Sequence, residues 1–513
     1  MDPSCRIRKY LFFNIFIRKF YILYIIFILY VIYNGVKMNK KIICLIIVAM
    51  FLLTGLSISV SARNLGTICS LGDTIYVDDD GGADYINISD AVEAAENGDT
   101  IFVYNGVYYE NELIIEKSIT LEGENKDNTI LIGNGDKPIL YLRKSGISVT
   151  KFKFKGFENK EAIRFGINAL VSSSYENIEL SDLIFEKLNI ESYSVLDNVH
   201  IHNCNFIDVK VQAIVTFYFS SNLKIESNTF LRCGAKLGDG WYRCAIYFDK
   251  VENLIFSNNK LLNCASGIDV RIQGTSKINN NDIDASIHGV NIYNKNGELN
   301  IFNNVIKSEE FGAITVSNSN NVNVYGNSLK NANSGIYIQS CNQMNVNNNE
   351  FFNNNNGVDI WHSESITVKN NIITDNNNGI HIYNSYENKI QENNISSNSY
   401  GIICNYNSES NLIINNNFLQ NDVSATDKGI DNSWDDGSQG NYWSDYDGRD
   451  INQDGIGDKP YEIFGGNSKD NYPWMKPDGE SKSKQVTFLE SFIERIMNFV
   501  YKFKEFFNAD TGI

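Results

Sequence analysis

The sequence predicts an all-β protein wound as a single-stranded parallel β-helix with coils of 22–23 residues. Three observations lead there. Asparagines recur at Asn259, Asn281, Asn304, Asn327, Asn349, Asn371 and Asn393, and glycines at Gly267, Gly289, Gly312, Gly335, Gly357, Gly379 and Gly401, each glycine eight residues after its asparagine. Two independent markers held in phase over seven repeats define a period. After each glycine, apolar and polar residues alternate, as in "GIYIQS", "GVDIWHS" and "GIHIYNS", which is the period of a strand and not of a helix. The corners between these segments are Asn-rich, and the Leu-x-x-Leu-x-Leu frame of leucine-rich repeats is absent.

The elements follow in chain order. Residues 1–62 hold eight of the 44 Lys/Arg but only one of the 61 Asp/Glu. Met38–Ala62, "MNKKIICLIIVAMFLLTGLSISVSA", has a basic start, an apolar stretch and a small-residue end suited to signal peptidase, and reads as a signal peptide. Residues 1–37 read as an upstream extension of the gene, in preference to a membrane segment around Tyr21–Tyr33. Those 13 apolar residues fall short of the roughly 20 that a span requires.

Without residues 1–62 there remain 36 basic and 60 acidic side chains, a net charge of −24. That balance excludes nucleic acid as a partner and suits an exported protein that attracts cations. Seven cysteines remain with no CxxC pair, which argues against zinc-ribbon and thioredoxin chemistry.

The β-helix is expected over residues 63–430. A short helix at about residues 89–96, N-capped by Asp90 or Ser89, would cover the first coil with its Ala and Val face. Within the coils Ile336, Ile338, Val358, Ile360, Ile380 and Ile382 point inward. Stacked asparagines share amide hydrogen bonds along the axis, which accounts for their excess structurally. The segments at Ala213 and Ala245 correspond but lie 32 residues apart, and the surplus is a loop, "CGAKLGDGWYRC". Its ends, Cys233 and Cys244, either close a disulfide or are two buried thiols.

After the coils, residues 431–476 form an Asp/Gly-rich cap. In it Asp450, Asn452, Asp454 and Asp458 stand at positions 1, 3, 5 and 9 of a calcium-loop pattern, with Gly455 at the turn. Position 12 is Tyr461 where a glutamate is needed, so this is no EF-hand, and the readings are another type of Ca²⁺ loop or a turn array. A polar linker, residues 477–485, precedes an amphipathic helix at 486–508 with Leu489, Ile493, Ile496, Val500, Phe503 and Phe507 on one face. That helix suits a membrane surface, a protein partner or the helix end itself.

The entry "DAVEAAENGDTIFVYNGVYYEN", the "NGIHIYNS" coils and the terminal "GNYWSDYDGRDINQDGIGDKPYEI" together resemble the NosD-like family, over roughly residues 73–476. The resemblance implies a right-handed β-helix, export and a place among carbohydrate-binding proteins and sugar hydrolases of archaeal surface type. The name-giving member assists copper-site maturation in nitrous oxide reductase. That role is not carried over, because the chain has five histidines and no Met/His/Cys cluster at ligand spacing. His200 and His202 share one strand face and read as a solvated surface pair.

Aligning coils by their glycines stacks outward residues in two columns, one of Asp269, Asn291, Tyr337, Asp359 and His381, the other of Arg271, Tyr293, Gln339, Trp361 and Tyr383. The Gly312 coil slips by one residue, leaving its contribution open. Aromatic rings stack on sugar faces while polar groups fix hydroxyls, and Trp241 on the inserted loop would wall one end. The expected function is therefore a cell-surface β-helix that binds a polysaccharide or surface glycan along this face without catalysis. The alternatives are a polysaccharide lyase or C5-epimerase acting on uronate glycans through Tyr337, Asp359 and His381, and a structural envelope protein. Asp269 and Asp359 lie four coils apart, about 19 Å, too far for a glycosidase pair.

Overall fold

A computed structural model of the chain describes residues 72–165, 174–237 and 242–477. The segments expected to be an upstream extension (1–37), a signal peptide (Met38–Ala62) and an amphipathic helix (486–508) lie outside the described residues, as do Trp241 and nearly all of the expected linker. No helix among those described is long and apolar enough to cross a membrane.

Three strands per coil give three faces, stacked over about 15 coils. The first face runs from Thr74–Val77 through Val195–His202 to Leu412–Ile414. The second runs from Gly106–Tyr109 to Asn417–Leu419 and gains Tyr442–Trp443. The third runs from Leu113–Ile115 through Ile268–Gln273 and Asn356–Trp361 to Val423–Asp427. Pairings between successive coils are parallel, as the sequence predicts, and extend well upstream of the region marked by Asn and Gly.

Period two sends alternate residues inward. Ile336, Ile338, Val358, Ile360, Ile380 and Ile382 are fully buried, and Val358 pairs with Ile336 before it and Ile380 after it. Phe154, Phe185, Phe206 and Phe230 stack near-parallel inside the second face, with centroids 5.2, 4.6 and 4.8 Å apart. The marker glycines answer to a close approach. A Cβ on Gly357 would stand 2.6 Å from the carbonyl oxygen of Gly379, and one on Gly379 would stand 2.4 Å from that of Gly401.

The corners are held by asparagine. A residue in the left-handed region, such as Asn258, Asn303, Asn348 or Asn370 with φ of 54–56°, turns the chain and presents the next asparagine inward. Asn349 shows the pattern: its Oδ1 accepts from the Asn327 N–H at 3.0 Å and from Asn327 Nδ2 at 2.9 Å. Its Nδ2 donates to Val324 O at 2.9 Å and to Asn371 Oδ1 at 3.1 Å. The same contact repeats from Asn228 through Asn259, Asn281, Asn304, Asn327, Asn349, Asn371, Asn393 and Asn416 to Asn441. Every side chain in this ladder is buried. Shorter ladders run from Asn354 to Asn421 and from Asn388 to Asn432.

Both ends differ in detail from expectation. Helix α1 spans Ile88–Ala94 rather than 89–96 and buries Ile88, Ala91 and Val92. Neither Asp90 nor Ser89 caps it: the N-cap is Asn87, whose side chain makes no capping bond. Glu110, reaching from the end of the second-face strand Gly106–Tyr109, accepts from the N–H groups of Ile88 and Ser89 at 3.2 and 3.3 Å. A buried carboxylate from the next segment thus satisfies the orphan donors of the first turn.

At the other end Trp443 is sandwiched between Phe418 and Tyr461, with centroids 4.2 and 4.1 Å away. Asp470 ends the long ladder, accepting from the Asn441 N–H at 2.7 Å and from Trp443 Nε1 at 2.8 Å. Asp427 ends the Asn388 ladder in the same way, taking Asn432 Nδ2 and Trp434 Nε1 at 2.9 Å each. Each of these ladders therefore stops on a carboxylate that also holds a buried indole.

Cys233 and Cys244 are buried free thiols, so no disulfide closes the loop between them. Ala235–Lys236 pairs antiparallel with Tyr242–Arg243, but the thiols turn to different surroundings. Cys233 lies against Cys264 of the next coil, whereas Cys244 sits beside Asp269.

Two outcomes follow from the corners. Asn349→Ala strands the buried Asn327 N–H and Val324 carbonyl and should lower stability by about 2–4 kcal/mol. The exposed Asn345→Ala should stay within about 0.5 kcal/mol, both read from urea unfolding. Burial pushes the Asp470 carboxyl up to about 6, against the pull of its N–H donors. The folded chain then holds a proton that the unfolded chain releases near pH 4. Its contribution is complete below about pH 4 and is lost as pH rises through 6, by about 2–3 kcal/mol. In Asp470→Asn this part of the stability–pH slope should be absent.

Candidate functional site

The third face carries the expected columns in unbroken register. Asp269, Asn291, Thr315, Tyr337, Asp359 and His381 are partners in consecutive coils. Beside them run Arg271, Tyr293, Ser317, Gln339, Trp361 and Tyr383. The slipped coil is resolved by Ala313, whose carbonyl takes the place over Gly289, so that Thr315 and Ser317 fill the columns.

Toward the C-terminal end the side chains form one network. Trp361 and Tyr383 lie with centroids 4.4 Å apart, and Trp361 is 6.3 Å from Tyr337 and 6.0 Å from His381. Asp359 points outward by register yet is only 5% exposed. Its Oδ1 accepts from Trp361 Nε1 at 2.7 Å and meets His381 Nδ1 at 2.8 Å. Its Oδ2 takes Asn356 Nδ2 at 3.0 Å and Ser334 Oγ at 3.3 Å. His381 Nε2 meets Asn405 Nδ2 at 2.8 Å. With the carboxylate holding the Nδ1 proton, Nε2 accepts from the amide, and both ring nitrogens are engaged. Asp359 is outward by register, as expected, but Asn356, Ser334 and the indole close over it, whereas His381 keeps part of its surface. Burial and the Asp359 charge raise the Tyr337 hydroxyl's pKa, which keeps it a neutral donor.

Three coils earlier a second aromatic cluster, not foreseen, occupies the same face. Tyr242, from the inserted hairpin, packs 5.3 Å from His288, which stacks on Phe311 at 4.7 Å and 11°. The hairpin is also tied down by the Lys236–Glu310 ion pair. Burial pushes the His288 imidazole down to about 4, so it is neutral near pH 7. His288 and Phe311 each precede a marker glycine, and extending the alignment back by one position would have found them. Tyr293 stands 38% exposed nearby, and Arg271 is held by Asp249. Asp269 binds Asn291 Nδ2 at 3.2 Å, and burial raises its carboxyl. At the far N-terminal side Arg164 bridges Glu161 at 2.6 Å and Glu191 at 3.1 Å, and burial beside Glu161 pushes Glu191 up to about 7.

In the cap loop the four expected ligands bond backbone N–H groups of the loop itself. Asp450 accepts from the N–H groups of Asp454 and Gly455 at 3.2 and 2.9 Å. Asn452 and Asp454 accept from their own loop at 3.1 and 2.8 Å, and Asp458 takes the Ile451 N–H at 2.7 Å. His200 and His202 lie partly exposed on the first face, and each also approaches a glutamate.

Removing Asp359 leaves the buried Asn356 amide and the half-buried donors of Trp361 and His381 without their acceptor. Asp359→Ala should therefore lower stability by about 2–4 kcal/mol in the absence of any ligand, read as an earlier urea midpoint.

Two family models match the chain: a right-handed β-helix region over residues 139–306, and the periplasmic copper-binding protein NosD over residues 312–448. No curated protein matches. Among solved structures, the A-module of an Azotobacter vinelandii mannuronan C-5 epimerase is 14% identical, covering 67% of this chain and 92% of that one at a TM-score of 0.40. Tailspike protein 3 of bacteriophage CBA120 is 12% identical over 71% of this chain and 59% of its own, with a TM-score of 0.45. A lacto-N-biosidase from Eubacterium ramulus is 10% identical over 55% and 64%, with a TM-score of 0.37. The likeness to these structures is one of coil architecture.

Proposed function

As a member of the NosD-like right-handed parallel β-helix family, this protein, we propose, is an exported surface protein that binds carbohydrate along its third face and does no chemistry there. The observation that carries this is the run of Tyr337, Trp361 and Tyr383 beside Gln339, Asp359 and His381. Rings on a flat, rigid sheet offer stacking area at little entropic loss, and amides fixed by the coil corners orient hydroxyls. The Tyr242–His288–Phe311 cluster lengthens the same surface, as befits a chain ligand rather than a single sugar.

His381 Nε2 lies 2.8 Å from Asn405 Nδ2, so an amide engages the ring nitrogen that a base would use, which favours binding over catalysis. The rival reading, a lyase or C5-epimerase, rests on the 2.8 Å contact between Asp359 and His381. A net charge of −24 beyond residue 62 favours a neutral glycan over a uronate polymer. Export follows from the Met38–Ala62 reading and is in keeping with the periplasmic family description.

A glycan array with neutral and uronate chains tests the assignment. Trp361→Ala and Tyr383→Ala should each weaken binding about tenfold, a loss of roughly 1.4 kcal/mol. Tyr109→Ala, an exposed ring on the second face, should leave binding unchanged. Appearance of unsaturated uronate, or a change of uronate stereochemistry, would replace binding by catalysis. Absence of binding to every glycan would remove the proposal.

A further inference from the structure

We propose that His200, His202 and Glu179, with Glu226 beside them, form a binding site for a divalent transition metal of the Zn²⁺ class on the first face. The two histidines are alternate residues of the strand Val195–His202, so their side chains leave the same side. Glu179 of the previous coil stands opposite His200, and Glu226 of the next coil stands opposite His202. Each glutamate then reaches along the diagonal. Glu179 Oε1 lies 2.9 Å from His202 Nε2, and Glu226 Oε2 lies 3.2 Å from His200 Nε2. The diagonal reach of Glu179 draws its head group to the two histidines, and donor atoms of Glu179, His200 and His202 all fall within 4.8 Å of one another, with Glu226 at His200 alone. Bonds of 2.0–2.2 Å to a four-coordinate ion place its ligands roughly 3.3–3.6 Å apart, so small side-chain rotations suffice.

A second observation points to a ligand. His200 Nε2 is screened from water yet makes no hydrogen bond, because the Glu226 oxygen lies off the direction in which an N–H would point. An electron pair held there is suited to a cation. His202 is oriented by its own neighbour: Asn203 Nδ2 is 3.2 Å from His202 Nδ1. When Nε2 binds a metal, the proton moves to Nδ1, and a flip of the Asn203 amide turns its oxygen to accept it.

The donor set chooses the ion. Two imidazoles and a carboxylate, with a fourth position left for water or Glu226, suit Zn²⁺, Co²⁺ or Ni²⁺, whereas Ca²⁺ and Mg²⁺ favour all-oxygen shells and Cu⁺ favours sulfur. The adjacent thiol, Cys204, is turned to Leu180 O in the coil interior and is fully buried. All these residues lie outside the 312–448 stretch matched by the copper-binding family and on another face from the aromatic stripe.

The test uses untagged mature protein, stripped by chelator and titrated with Zn²⁺ by calorimetry, then with Co²⁺ by visible absorption. One ion per chain and the intense bands of a four-coordinate cobalt site are expected. The double variant His200→Ala/His202→Ala should lose both signals while keeping its β-sheet circular dichroism. Glu179→Gln should weaken binding about tenfold or more. Should the double variant misfold, His202→Gln, which can still bond Glu179, replaces it with the same expected loss. No uptake of Zn²⁺ by the parent, or unchanged stoichiometry and affinity in a folded variant, overturns the proposal.

Discussion

The structure depends on one repeated contact, the buried asparagine that hands its amide from coil to coil. A strand can turn a corner only if the backbone groups freed by the turn find partners away from water. In each corner a left-handed residue makes the turn, and the asparagine behind it supplies both an acceptor and a donor to its neighbours along the axis. Because every amide in the ladder serves two coils, the spacing of coils is set by the hydrogen bonds and not by the core alone. The long ladder needs an end, and Asp470 provides it with a carboxylate, which accepts from the Asn441 N–H and has no amide N–H to hand on.

With the corners and interior committed to structure, the outward positions of the three faces are released from folding duty. That freedom is used unevenly. On the third face aromatic rings and polar groups gather into two clusters separated by a few coils, and the inserted hairpin leans on one of them through Tyr242. On the first face His200 and His202 meet glutamates from the coils on either side. Neither arrangement contributes to the ladder. Each exists because stacked coils bring together residues some 21–24 positions apart.

Legibility follows the same division. The two columns from Asp269 to His381 and from Arg271 to Tyr383 were readable residue by residue, since a strict period makes the alignment equivalent to the register. Where the period falters, reading failed. Near His200 the steps to Glu179 and Glu226 are 21 and 24 residues, so no marker linked the histidines to carboxylates. Helix α1 was placed one residue late because its first turn is satisfied by Glu110, a partner that no local capping pattern contains. The cysteine pair looked like a loop closure in one dimension, whereas Cys233 turns to a thiol in the following coil.

By itself the sequence determined the coil length, the parallel register, the inward core and the identity of the outward residues. These are consequences of periods two and 22–23, and a period is a property of order along the chain. Only the tertiary structure decided which outward groups remain open. Asp359 and Trp361 occupy equally outward positions, yet the indole and the corner side chains Asn356 and Ser334 close over the carboxylate. Period gives direction, but closure depends on side-chain torsions and on neighbours contributed by other coils. For that reason the aromatic face could be located from spacing, while the state of its acid and its base could not.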